Sequence, residues 1–208
     1  AVMANWEGYE PLRQQIIHEV PHFGNNVPYA DEQMRWVTHT YYQLCRECYS
    51  VRTHIYKAGL YGAADHVGQG YTTWATPDGR FAGQPIADAA SPVQGHDTHG
   101  PTAVFASSLC YDHSLFMDGV CLNIRIHPSA LSNSEGMEKL IRMVKTYMAN
   151  GGAEVQFNIV STETMRAAQE KPEEYRDLVV RIAGYSVYFV ELSRDCQDDL
   201  ISRTENTI

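Results

Sequence analysis

Residues 181–204 read RIAGYSVYFVELSRDCQDDLISRT, and no other stretch limits the fold of this chain as tightly. Gly184 sits between two apolar runs. Leu178, Val179, Val180 and Ile182 lead in, and Val187, Tyr188, Phe189, Val190 and Leu192 follow. Runs this apolar read as buried strand rather than exposed turn, so the glycine is expected in a buried loop between them. A helix is expected next, over Asp195–Arg203. An isolated Ala-Gly-Tyr would more often mark a strand end or a close-packing site. Here the pattern continues through the whole segment.

The rest of the chain alternates. Trp6–Val20 and Asp31–Ser50 read as helices, and Arg52–Gln94, rich in Gly and Thr, as mostly loop. Pro101–Leu109 reads as helix and Val120–His127 (VCLNIRIH) as strand. Ser134–Asn150 is a helix closed by Gly151-Gly152. Ala153–Val160 is strand, Thr162–Glu170 helix and Leu178–Ala183 strand. Such alternation indicates an α/β fold. With 208 residues, 44% of them apolar, the chain can bury a core of ordinary domain size. Its net charge of −9 argues against nucleic acid or an anionic membrane surface as a partner. No apolar run approaches the roughly 20 residues needed to cross a bilayer.

Further segments fall into a collinear series: NWEGYE (Asn5–Glu10), FGNN (Phe23–Asn26), ATPDGR (Ala75–Arg80), AGQPIAD (Ala82–Asp88), Ser91-Pro92, Gly100-Pro101-Thr102-Ala103, Leu122-Asn123 and Gln156-Phe157-Asn158. Together with the R-[VI]-[AS]-G-Y loop, this series resembles the C-terminal, radical-bearing part of the glycyl radical enzymes, the pyruvate formate-lyase-like family. The formate-lyase branch proper reads SGY at the loop. AGYSVYFVEL is similar to the eliminase branch of dehydratases, sulfite lyases and arylacetate decarboxylases. Val187, Ile182 and Phe81 depart mildly from the common residues.

The resemblance implies that Gly184 stores an unpaired electron on its Cα, installed by a separate radical SAM activase that carries an iron–sulfur cluster. Such a Cα must flatten so that the amide nitrogen donates into it and the carbonyl withdraws. A side chain would clash there, and glycine fits. No bound metal is expected. The fold it implies is the later part of a ten-stranded α/β barrel over 1–150, followed by a glycyl radical domain over 151–208. A partial barrel leaves open edges and an exposed apolar interior, so completion by another polypeptide is expected. The opening Ala1-Val2-Met3-Ala4 runs straight into family-like sequence, in keeping with a missing first part.

In relatives the radical activates a cysteine on a G-C-x-E loop that lies further upstream than the 183 residues ahead of Gly184 allow. Cys45-Arg46-Glu47 follows Leu44, in a stretch of helical composition, and reads as structural. Cys45 and Cys48 form C-x-x-C without a second pair at zinc-site spacing. Cys110, Cys121 and Cys196 are scattered, and five cysteines without a signal peptide suggest reduced thiols in the cytoplasm of an anaerobe. His96 and His99, in GHDTHG, form no known ligand set.

By resemblance, Tyr56–Tyr61 reaches the substrate pocket, with Lys57 and Tyr61 as candidate contacts for a small molecule. A cation at 57 would suit a carboxylate or sulfonate; Lys57 reads equally as a solvated surface lysine. Trp74 reads as barrel packing or a site wall. Asp78-Gly79-Arg80 reads as a turn held by an ion pair, and Arg203 as a brace for the last helix. Two functions follow. The chain is the radical-storing subunit of a split lyase, its thiyl cysteine on a larger partner chain; or it is a spare part restoring an oxygen-cleaved enzyme, or a fragment of a full-length one.

Overall fold

The computed structural model describes residues 1–52 and 54–208; of the loop expected over Arg52–Gln94, Thr53 lies outside them. Seven α-helices and five short strands are seen among the described residues. They are α1 (Glu10–Glu19), α2 (Pro28–Glu47), α3 (Asp65–Thr72), α4 (Pro101–Ser108), β1 (Asn123–Ile126), α5 (Ser134–Ala149), β2 (Gln156–Asn158), α6 (Thr162–Glu170), β3 (Val179–Arg181), β4 (Ser186–Tyr188), α7 (Arg194–Ser202) and β5 (Glu205–Asn206).

Local chemistry sets most helix starts. Proline occupies the first turn of α1, α2 and α4, where its missing N–H has no intrahelical partner to lose. Asn133, Ser161 and Ser193 cap α5, α6 and α7 by accepting from the N–H groups of Gly136, Thr164 and Cys196. Gly136 is also a packing requirement, since a Cβ there would lie 1.8 Å from the Ala130 carbonyl oxygen.

Three strands form a parallel sheet in the order β2-β1-β5, with Asn123 opposite Gln156 and Ile126 opposite Asn206. Leu60 adds a parallel bridge at Val120. β3 and β4 form a separate antiparallel hairpin, Val179 opposite Tyr188 and Arg181 opposite Ser186. One core packs α4 and α5 on β1 through Val104, Phe105, Leu122, Ile124, Ile126, Leu140 and Tyr147. A second packs α6 and α7 on the hairpin through Met165, Ala168, Val180, Ile182, Phe189, Leu200 and Ile201. Fully burying side chains such as Ile126 and Phe189 stabilises by about 1.5–3 kcal/mol each.

Arg125 joins the layers. It is 4% exposed, and its guanidinium donates to the carbonyls of Leu200 and Ile201, both at 3.0 Å, to Thr162 Oγ1 at 2.6 Å and to Glu205 Oε2 at 3.1 Å. One buried cation therefore fixes β1, the start of α6, the end of α7 and β5. Burial lowers its pKa, and Glu205 works against that shift.

The element boundaries differ from expectation where packing or turn geometry overrides pattern. α1 begins at Glu10 rather than Trp6, because Asn5, Trp6 and Gly8 all have positive φ, at 50°, 65° and 77°. That turn buries Trp6, whose indole donates to the Arg80 carbonyl at 3.3 Å. α3 falls inside the expected loop. Its sequence, DHVGQGYT, has poor propensity, but His66 and Val67 are buried and Gly70 lies against the Gln84–Pro85 backbone. Strands β1 and β2 are shorter than the apolar runs that contain them, and β4 and β5 are too short to read from periodicity. Among the described residues no helix is long and apolar enough to cross a membrane.

Candidate functional site

The β3–β4 hairpin is anchored by two polar side chains of β2. Gln156 and Asn158 are two residues apart, so they project from one face of the strand. Asn158 clamps the Arg181 backbone from both sides: its Oδ1 accepts the Arg181 N–H at 2.7 Å and its Nδ2 donates to the Arg181 carbonyl at 2.5 Å. Gln156 Oε1 accepts from Arg181 Nε at 2.6 Å and from the Gly184 N–H at 2.8 Å. Within the loop, the Ile182 N–H donates to the Tyr185 carbonyl at 3.0 Å.

Gly184 stands at the hairpin tip with φ +82°, a conformation that favours glycine. No described atom lies within 4 Å of the position a Cβ would take. The loop is exposed at Gly184, Tyr185 and Ser186, not buried as the flanking apolar runs suggest. Only alternate residues turn inward: Val180 and Ile182 are 2% exposed and Phe189 0%, whereas Val179 is 49% and Tyr188 46% exposed. The described residues supply one wall of a shielded site, the β2 side, and leave the other open.

A buried charge cluster holds α7 behind the hairpin. Asp199 accepts from His66 Nε2 at 2.9 Å, Gln94 Nε2 at 2.6 Å and Arg203 Nη2 at 3.0 Å. Arg203 also pairs with Asp88 at 2.9 Å, and Asp88 accepts from Asn123 Nδ2 at 2.8 Å. The bracing expected of Arg203 is thus present, through two aspartates. Burial pushes the Asp88 carboxyl up, and the neighbouring Asp199 charge adds to this. Burial pushes Asp199 up as well, but the hydrogen bond and charge of His66 and the Arg203 guanidinium outweigh it and hold that carboxyl below its usual range. From α7, Gln197 Nε2 donates to the Phe189 carbonyl at 3.0 Å.

Other sequence candidates lie elsewhere. Lys57 is exposed and Tyr61 is 59% exposed, on the segment whose Leu60 pairs with Val120. No hydrogen bond among the described residues joins either to Gly184. Trp74 is 56% exposed and donates to the Val2 carbonyl at 3.1 Å. The 78–80 turn forms, but no ion pair between Asp78 and Arg80 is found among the described residues. Arg80 instead donates to the carbonyls of Gln84 at 2.6 Å, Phe81 at 3.2 Å and Trp74, while Asp78 accepts from Thr76 and the Arg80 N–H. Carbonyls converging on one guanidinium satisfy it without a carboxylate.

Cys45 lies within α2, packed against the cluster around Tyr111 and Phe116, and all five cysteines are free. Cys121 is buried; burial and the adjacent Glu154 push its thiol up to about 12. Ligand atoms of His127, Glu163 and Glu205 lie within 4.8 Å of one another, a set not foreseen from spacing. Glu205 is already bonded to Arg125 and Thr162 there. The roles of Gln156, Asn158 and Asp199 were also missed. The available signal was the polar pair at i and i+2 in an otherwise apolar strand.

Three comparisons place this geometry. The family model described as Glycine radical matches residues 86–190, and that described as Pyruvate formate lyase-like matches residues 1–70. The chain is 41% identical over 210 residues to (2S)-3-sulfopropanediol dehydratase of Klebsiella oxytoca, covering 99% of this chain and 25% of the relative. It superposes on the glycerol-bound B12-independent glycerol dehydratase from Clostridium butyricum with a TM-score of 0.95 at 36% identity. The same values hold for hydroxyproline dehydratase from Clostridioides difficile with trans-4-hydroxy-L-proline bound. Each superposition covers 100% of this chain and 26% of the other. The chain thus spans about a quarter of the length of the relatives it matches, which are dehydratases and lyases. With its parallel sheet, its hairpin and both matching models, this chain belongs to the glycyl radical family.

Proposed function

We propose that this chain is the radical-storing part of a glycyl radical lyase of the dehydratase or eliminase type, with Gly184 carrying the radical. The observation that carries this reading is the Gly184 peptide itself. It has a glycine-favouring φ of +82°, open space at the Cβ position and a buried acceptor on its N–H, within the span of the matched family model. These features fit a Cα that must flatten between a donating nitrogen and a withdrawing carbonyl. A radical SAM activase would remove one hydrogen atom from that Cα in a cell growing without oxygen. When present, the radical supplies the acceptor for a cysteine thiol hydrogen.

The cysteine itself is supplied by a larger polypeptide that completes the barrel. None of the five cysteines follows a glycine in the order G-C-x-E. A completing chain also accounts for the open side of the hairpin and for large apolar side chains left in water, including Trp36 at 66% and Tyr61 at 59%. We divide the chain into barrel (1–150) and radical domain (151–208); the cluster from Met165 to Ile201 lies within the second span, while β2 and β5 of that span pair with β1 of the first. Lys57 and Tyr61 face solvent and are available to a substrate. Lys57 would suit an anionic group such as the sulfonate named in sulfopropanediol dehydratase.

The test is the native mass of the protein purified without oxygen from its own source. A stable complex with a larger chain bearing a G-C-x-E loop is expected. A lone 208-residue species would reduce the role to a spare part or a fragment.

A further inference from the structure

We propose that Gln156 is the positioning residue for the radical, its amide oxygen fixing and polarising the Gly184 peptide. This rests on reading Gly184 as the radical carrier. Gln156 is 7% exposed, whereas the loop it serves is open to water. The Gly184 N–H would be free to bond water at an exposed hairpin tip, yet it is held at 2.8 Å by a buried side chain from another strand. Which end of the amide faces the loop follows from the partners. The Gly184 N–H and Arg181 Nε are both donors, so the atom 2.8 Å and 2.6 Å from them must be the oxygen. The NH2 end then faces Cys121 Sγ at 2.8 Å, and Asn123 Nδ2 approaches the same sulfur at 3.5 Å. A protonated thiol is a weak acceptor that leaves the amide in this orientation.

The consequence is electronic as well as steric. Spin on a glycine Cα is spread by donation from the amide nitrogen, which requires the Ala183–Gly184 peptide plane to stay aligned with the flattened Cα. An acceptor on the N–H fixes that plane. It also draws the proton outward, leaving the nitrogen richer in charge and a better donor. Arg181 holds the Gln156 oxygen from a second direction, and Asn158 fixes the Arg181 backbone, so β2 sets both the start and the tip of the loop. Gln156 neither gains nor loses a proton in this role.

The experiment compares the wild type with Gln156→Leu, which removes the acceptor at similar volume, and Gln156→Glu, which keeps an acceptor oxygen. The first readout needs no radical: hydrogen–deuterium exchange at the Gly184 N–H of the full chain, with any partner that purifies with it. Exchange should be about tenfold faster in Q156L and near wild type in Q156E, as expected for losing one hydrogen bond of ordinary strength. The second readout is the anoxic lifetime and the 15N-glycine hyperfine coupling of the radical after activation. Q156L should decay about tenfold faster with a smaller nitrogen coupling, and Q156E should stay near wild type, the nitrogen coupling being a property that loop disorder elsewhere would not change. If Q156L does not fold, Q156E decides: protected exchange with a wild-type coupling supports the proposal, and unprotected exchange overturns it. A wild-type radical whose lifetime and coupling are unchanged in folded Q156L overturns this proposal alone. A wild type that accepts no radical at all overturns the reading of Gly184 and this proposal with it.

Discussion

Gly184→Ala should leave the chain folded and remove both the radical and turnover completely. Space is not the obstacle, because no described atom lies within 4 Å of the added methyl group. The strain of an alanine at φ +82° amounts to about 1–2 kcal/mol, small for a loop tied down by Gln156 and Asn158. What the methyl group blocks is flattening of the Cα between its two peptide planes. The variant thus separates chemistry from folding. A thermal melt within a few degrees of wild type, with no radical by electron paramagnetic resonance and no product, is the expected outcome. A G184A protein that still turns over would remove Gly184 from the mechanism.

The largest effect on stability is expected at Asp199. This carboxylate is 3% exposed and accepts from His66, Gln94 and Arg203. In Asp199→Ala the Arg203 guanidinium and His66 keep only Asp88, and the Gln94 amide keeps only the Ile86 carbonyl. Removing one partner from a buried charge cluster in this way destabilises by about 3–5 kcal/mol. α7 should then loosen from the hairpin, giving a lower urea midpoint and faster proteolysis between residues 190 and 208. The pH dependence carries a sign. Asp199 is held below its ordinary value of 3.8, so its contribution is complete above that value and is lost as pH falls through the lowered one. Asp88 is raised by burial, so its ionisation opposes folding and its protonation relieves that strain. The gap between D199A and wild type should therefore be widest near neutrality and narrow below about pH 3.8. A difference under about 1 kcal/mol at neutral pH would show that the cluster is not the anchor of α7.

Where structure is made locally, the sequence could be read closely. α6 has its expected limits, Thr162–Glu170, because Ser161 caps it and its apolar face is regular. α5 runs from Ser134 to the Gly151-Gly152 stop for similar reasons. α3 was hidden because its stability comes from His66 reaching Asp199 and from Gly70 fitting against Gln84, contacts between residues far apart in sequence. β5 is two residues long and exists only because β1 is there to pair with it. The glycine of the loop was legible, since φ +82° demands that residue type. Its exposure was not, because apolar flanks report that the strands have an inward face and say nothing of how many walls surround the tip. Gln156 and Asn158 stood out as a polar pair in an apolar strand, but their role, like that of Arg125, was not legible. A polar residue in a strand announces its role only when its partner is known.

The most direct measurement is an electron paramagnetic resonance spectrum of the protein after anaerobic activation by a radical SAM activase, recorded with ordinary glycine and with glycine deuterated at Cα. An unpaired electron on Gly184 predicts a doublet from the single remaining Cα hydrogen that collapses to a singlet on deuteration and is absent from G184A. A radical indifferent to glycine labelling, or one that survives in G184A, would contradict the assignment of radical storage to this residue.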